Sequence, residues 1–218
     1  MKKGLFISAI GMMLFADACI GALVVALVGR SWNIWGHMWP LTALGMITLG
    51  SVLALLPDLD IAYPLLKGKH DDLHEHHTML MHRPLLVLPA VTGLAWLVSD
   101  FLIGHHLWTV VAFTCIAWHF VHDTYGFGGA GLEWFWPLSK REWSPFGQPT
   151  ANLHVTLAEW LPSWYKPSPL SFREIVIGSA ALSLAMGIVF GYRTAEVFFV
   201  LPILGTFFVW GLYSIFGD

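Results

Sequence analysis

The chain has 218 residues, 56% of them hydrophobic and 11% charged, with a mean hydropathy of +0.66; soluble domains carry about a quarter charged residues, so water is not its main solvent. A formal net charge of -3 with histidine neutral, and no Lys/Arg block or basic stripe, exclude nucleic acid as a partner class. Cys19 and Cys115 lie far apart in apolar runs, which excludes a disulfide framework and a CxxC ligand pair.

A bilayer core about 30 Å thick needs roughly 20 mostly apolar residues per helix. Runs of that kind predict helices at residues 4–28, 39–56, 84–103, 107–122, 174–192 and 194–215, the last two being the least separable. The expected fold is all-α: a polytopic transmembrane helix bundle of about six spans, formed by residues 1–218 as one membrane domain. Lys2-Lys3, an apolar stretch and Ala16-Asp17-Ala18 resemble a signal peptide, but the apolar run continues to Val28. That exceeds a signal core of about 7–15 residues and predicts a retained helix.

Residues 57–83 and 123–173 interrupt the apolar runs, with most of the acids and the densest histidines. Lys and Arg tend to remain cytoplasmic. An N-terminus inside puts nine of them on that side, Lys67, Lys69, Arg83, Lys140 and Arg141 included, and leaves only Arg30 and Arg193 outside. Both polar stretches and the C-terminus then face the cytoplasm. Trp134, Trp136, Trp143, Trp160, Trp164 and Tyr165 suggest that residues 132–167 lie along the headgroup interface, with a folded aromatic cap as the alternative.

The second predicted helix ends in Leu56-Pro57-Asp58-Leu59-Asp60. Proline favours an extended residue before it, and acids two apart on an extended segment point the same way. A lone pair of this kind is commonly a solvated helix end. At a membrane boundary, though, two carboxylates repel unless a cation or base lies between them, which favours a metal.

Residues 70–83 hold five histidines, His70, His74, His76, His77 and His82, and neutral imidazole is the commonest metal ligand among side chains. A catalytic zinc site uses three protein ligands and an open position, so not all five bind one ion. His77 and His82, five apart, diverge by about 140° on a continuous helix and meet at one ion only if the backbone bends between them. His119 and Asp123, four apart at the end of the fourth helix, share a helix face. His122 lies on a neighbouring face, as a ligand or as a packed histidine. The glycines 126, 128, 129 and 131 allow a sharp turn beyond it. Asp17, ionisable within an apolar run, is a functional candidate by position, about 20 Å along a helix that starts near residue 4. Asp100, His105 and His106 are read as solvated or interfacial.

In this order, Leu56-Pro57-Asp58-Leu59-Asp60, His77 and His82 five apart, and His119 with Asp123 followed by Trp136-Pro137-Leu138-Ser139 resemble the bacterial inner-membrane metal-dependent hydrolases of the YdjM type. The resemblance runs from about residue 17 to residue 145. It implies that Asp58, Asp60, His77, His82, His119 and Asp123 are metal ligands or their close neighbours. Asp17 and Gly21 stand where that family has a histidine and a glycine, which adds Asp17. Between His77 and His82 this chain reads Thr-Met-Leu-Met in place of the family's Arg-Gly-x-Thr.

The expected function is hydrolysis, in which a divalent metal polarises a phosphoryl or acyl oxygen and activates water, with Asp58 or Asp60 as general base. Location at the headgroups makes membrane lipids the expected partners and a lipid ester or phosphoester the expected substrate. Mixed His/carboxylate ligation suits zinc, and also manganese or iron. Two alternatives stand beside this: a metal-stabilised scaffold or metal transporter, and a di-iron oxygenase built on His70, His74, His76, His77, His119 and His122. The second leaves the acids at 58, 60 and 123 without a role.

Overall fold

The computed structural model describes residues 14–61, 79–102, 106–124, 131–143 and 166–216. Among them are six α-helices and no strand: α1 (Phe15–Ser31), α2 (Pro40–Ala54), α3 (Pro84–Leu102), α4 (Leu107–His122), α5 (Pro169–Phe190) and α6 (Tyr192–Phe216). The windows Pro84–Phe101, Ser171–Phe190 and Tyr192–Ile215 are long and apolar enough to cross a membrane, and α2 and α4 are shorter apolar helices. The protein is an all-α membrane protein. Its chain divides into two compact units, Met1–Ser51 with Ala158–Asp218, and Val52–Leu157.

In the first unit α5 packs against α1 and α6. Small residues permit the close approach that helices need when lipid supplies no hydrophobic drive between them. A Cβ on Gly178 would come within 2.4 Å of the Phe15 ring, and one on Gly50 would stand 2.6 Å from the Gly21 carbonyl oxygen. Ala22, Ala26, Ile47, Ala185 and Met186 form the core they enclose. Beyond α1 the Trp35 indole folds back over Gly29 and donates to the Ala26 carbonyl at 2.8 Å.

Helix boundaries depart from the apolar runs where local signals override them. Helix α5 begins at Pro169 rather than near residue 174, because Ser168 and Ser171 form a reciprocal capping box with proline at the first helical position. Helices α5 and α6 separate at Gly191, whose φ of +98° disfavours a side chain. Helix α1 begins at Phe15 with Leu14 as its N-cap, so Asp17 stands in its first turn and not about 20 Å along a longer helix. Residues 4–13 of the predicted first span lie outside the described residues.

In the second unit α3 packs against α4. Val87, Ile116, Phe120 and Leu132 are buried together, with Leu56, Leu88, Val91 and Trp134 around them. Gly131, at φ +92°, turns the chain so that Leu132 enters this core. Trp134 then meets Phe120 edge-on, with ring centroids 6.3 Å apart, and its indole donates to Thr124 Oγ1 at 3.3 Å. Trp143 closes the loop through its backbone N–H to the Leu132 carbonyl at 3.0 Å. The described part of the tryptophan-rich segment is thus anchored to the end of α4, the helix that carries His119.

Candidate metal centre

Three pieces of the second unit supply the site. The first is a 3-10 turn at Pro57–Ile61, just after α2, where an extended segment was expected. At three residues per turn, side chains two apart point in different directions, and Asp58 and Asp60 reach opposite edges of one imidazole. The second is a 3-10 turn at Leu80–His82. Pro84 disfavours the helical conformation for Arg83, which is extended at φ -106° and ψ 92°, so the turn ends at His82, whose side chain is buried. The third is the last turn of α4, where His119 and Asp123 share a face as i,i+4 spacing dictates.

These pieces place four donor atoms in a ring of alternating nitrogen and oxygen. Nε2 of His119 is 2.9 Å from Oδ2 of Asp123, and that oxygen is 3.2 Å from Nε2 of His82. Nε2 of His82 is 3.7 Å from Oδ1 of Asp58, which is 3.6 Å from Nε2 of His119. All four ligand atoms lie within 4.8 Å of one another. An ion with bonds of about 2.0–2.1 Å sets tetrahedral donor–donor edges of about 3.4 Å, and the four edges straddle that value. Asp58, His82, His119 and Asp123 therefore form a group able to hold a metal ion.

Both imidazoles are fully buried, whereas the Asp58 and Asp123 side chains keep 12% and 17% of their surface exposed. The ring is thus reached from its carboxylate side. Asp60 lies on the far edge of His82, with Oδ2 at 2.9 Å from Nδ1. Burial pushes the His82 pKa down, but hydrogen bonds to Asp123, Asp58 and Asp60 outweigh it and hold the imidazole well above its ordinary value. Three carboxylates around one buried histidine call for positive charge, as a proton or as a cation.

Next to His82, the guanidinium of Arg83 pairs with Glu133 and lies 5.3 Å from the centroid of the Trp136 ring. This pair joins the His82 turn to the tryptophan-rich segment. Nothing in residue spacing announced it, since the partners are fifty positions apart. His122 is buried and stacks on Trp118 at 5.9 Å. Asp17, in the other unit, is buried in α1. His77 and the histidines at 70, 74 and 76 lie outside the described residues, so the expected pairing of His77 with His82 has no geometry here.

Ordered acidic and histidine motifs on three segments converge on one point between apolar helices, and the model of the YdjM inner membrane protein family matches residues 12–215. The chain belongs to the YdjM family. The match extends beyond the motif-bearing region to take in nearly all of the chain, including the apolar helices α5 and α6. No curated protein and no solved structure matches it. Membership supports an inner-membrane location, and in this YdjM protein the metal-competent group sits just outside the apolar helix that starts at Pro84.

Proposed function

We propose that this YdjM protein is a membrane-embedded metal-dependent hydrolase that cleaves an ester or phosphoester bond near the lipid headgroups. The observation that supports it is the ring of two imidazole nitrogens and two carboxylate oxygens, exposed on one side. Two histidines with two carboxylates suit zinc, with manganese and iron as the harder alternatives. A divalent ion in such a ring supplies Lewis-acid polarisation of the scissile group and lowers the pKa of water at the site.

His82, His119 and Asp123 are the closest-knit donors, with edges of 2.9 and 3.2 Å, and serve as the ligands. Asp58 stands farther off, at 3.6 and 3.7 Å from the two imidazoles, and is partly exposed. It takes the role of general base, accepting the proton of the attacking water at a carboxylate oxygen. With three protein ligands, a position would remain for water, as in catalytic rather than structural zinc sites. The excess of Lys and Arg in the polar stretches argues for a cytoplasmic site and cytoplasmic termini, and a headgroup-level site for a lipid-like substrate.

A second reading has a specific observation in its favour. Four protein donors suffice to close a tetrahedral site, and a closed site makes the chain a non-enzymatic metal-binding membrane protein. Purified protein assayed on a panel of lipid esters and phosphoesters, with and without added metal, separates the two. Metal-dependent turnover that Asp58→Ala abolishes supports the hydrolase. Turnover indifferent to Asp58→Ala, or metal binding with no turnover across the panel, defeats it.

A further inference from the structure

The far edge of His82 carries a relationship that the ligand ring does not use. We propose that Asp60 is a positioning residue for the metal centre, which holds His82 by its Nδ1 so that Nε2 faces the ion, and is not itself a ligand. The inference rests on the metal reading above. Oδ2 of Asp60 is 2.9 Å from Nδ1 of His82, while the opposite nitrogen faces Asp58 and Asp123. The two nitrogens of an imidazole lie on different edges of the ring, so a group bonded to Nδ1 stands behind the ligand rather than beside the ion. Asp60 is also the one acid of the three for which no close approach to His119 occurs among the described residues.

The chemistry follows from the geometry. A neutral imidazole carries one proton. A carboxylate at Nδ1 keeps it there and leaves the Nε2 lone pair for the metal, and it also fixes the ring plane and makes the ligand more basic. The 3-10 turn makes this possible. Were residues 57–61 extended, Asp58 and Asp60 would point the same way, and the back of His82 would have no acceptor from this segment. Leu59, between them, is 60% exposed, in keeping with a turn whose two acids point inward at different angles.

The test uses full-length protein in detergent with Co2+ as the probe, read by its visible absorption and by competition with a chelator. Asp60→Asn keeps a carbonyl oxygen that accepts from Nδ1–H, and Asp60→Ala keeps nothing. We expect both variants to bind one Co2+ with the wild-type band positions and intensity. Affinity should fall about 10- to 100-fold in the alanine variant, and by less in the asparagine variant. Altered bands would mean a lost ligand and would overturn the proposal, as would unchanged affinity in both variants. Failure of the wild type to bind Co2+ would instead overturn the metal reading itself. Should neither variant fold, selectively 15N-histidine-labelled, zinc-loaded wild type decides: His82 coordinated through Nε2 with Nδ1 protonated is expected, and coordination through Nδ1 overturns the proposal.

Discussion

Asp123 Oδ2 lies 2.9 Å from Nε2 of His119, one helical turn before it. The same oxygen is 3.2 Å from His82, so one carboxylate atom joins the end of α4 to the turn that precedes α3. A ring of this kind stabilises the second unit only while positive charge sits among its carboxylates, and its occupancy should therefore be visible in stability.

Added Zn2+ should raise the thermal midpoint of the detergent-purified protein, and a chelator should reverse the effect. Binding to the folded state alone contributes about 2.7 kcal/mol when free metal is a hundred times Kd. A midpoint that does not depend on metal in differential scanning fluorimetry would argue against a preformed site.

The pH dependence of the metal-free protein has a definite sign. The folded-state pKa of His82 is raised, so its contribution to stability is fully present below the unfolded value of about 6.5. It is lost as pH rises through the higher folded value. With Zn2+ the proton is displaced by the ion and affinity strengthens as pH rises. Midpoints measured between about pH 6 and pH 9 should fall without metal and hold or rise with it.

Asp58→Asn should separate chemistry from binding. The amide cannot accept the proton of the attacking water as a carboxylate does, so turnover should drop by about 10²- to 10⁴-fold while one metal per chain is retained. Comparable loss of metal and turnover would move Asp58 from base to indispensable ligand.

The Arg83–Glu133 pair is largely buried, with side chains 9% and 13% exposed. Glu133→Ala removes the carboxylate facing a largely buried guanidinium and should destabilise the protein, whereas replacing both partners with apolar residues of similar volume should cost less. A double-mutant cycle on unfolding checks the contrast.

Helix packing in the first unit offers a test free of metal. Gly50→Ala drives a Cβ to 2.6 Å from the Gly21 carbonyl oxygen and should destabilise by about 1–3 kcal/mol, the cost of overpacking. Gly205→Ala, which meets nothing within 4 Å, should be neutral or mildly stabilising. Equal midpoints for the two variants would contradict the close approach of α1 and α2.

Much of the fold was legible because lipid solvation demands long apolar runs, and these placed the six α-helices found among the described residues. Their ends were less so: the Ser168–Pro169 cap started α5 early, and Gly191, at positive φ, set the break between α5 and α6. In the site, the His119–Asp123 pairing follows from helical spacing alone. The meeting of His82 with Asp58 and Asp60 does not, since contacts more than twenty residues apart depend on how α2, α3 and the intervening chain fold. The two acids were expected to point one way, and the 3-10 turn sends them to opposite edges of His82. Spacing assigned them one role between them, while the backbone gives each its own.

The most direct test is elemental analysis of the detergent-purified full-length protein beside His82→Ala and His119→Ala, with folding of each checked by circular dichroism. The account predicts about one divalent transition-metal ion per chain in the wild type and close to none in either folded variant. A wild type without stoichiometric metal, or folded variants that keep their full complement, would contradict it.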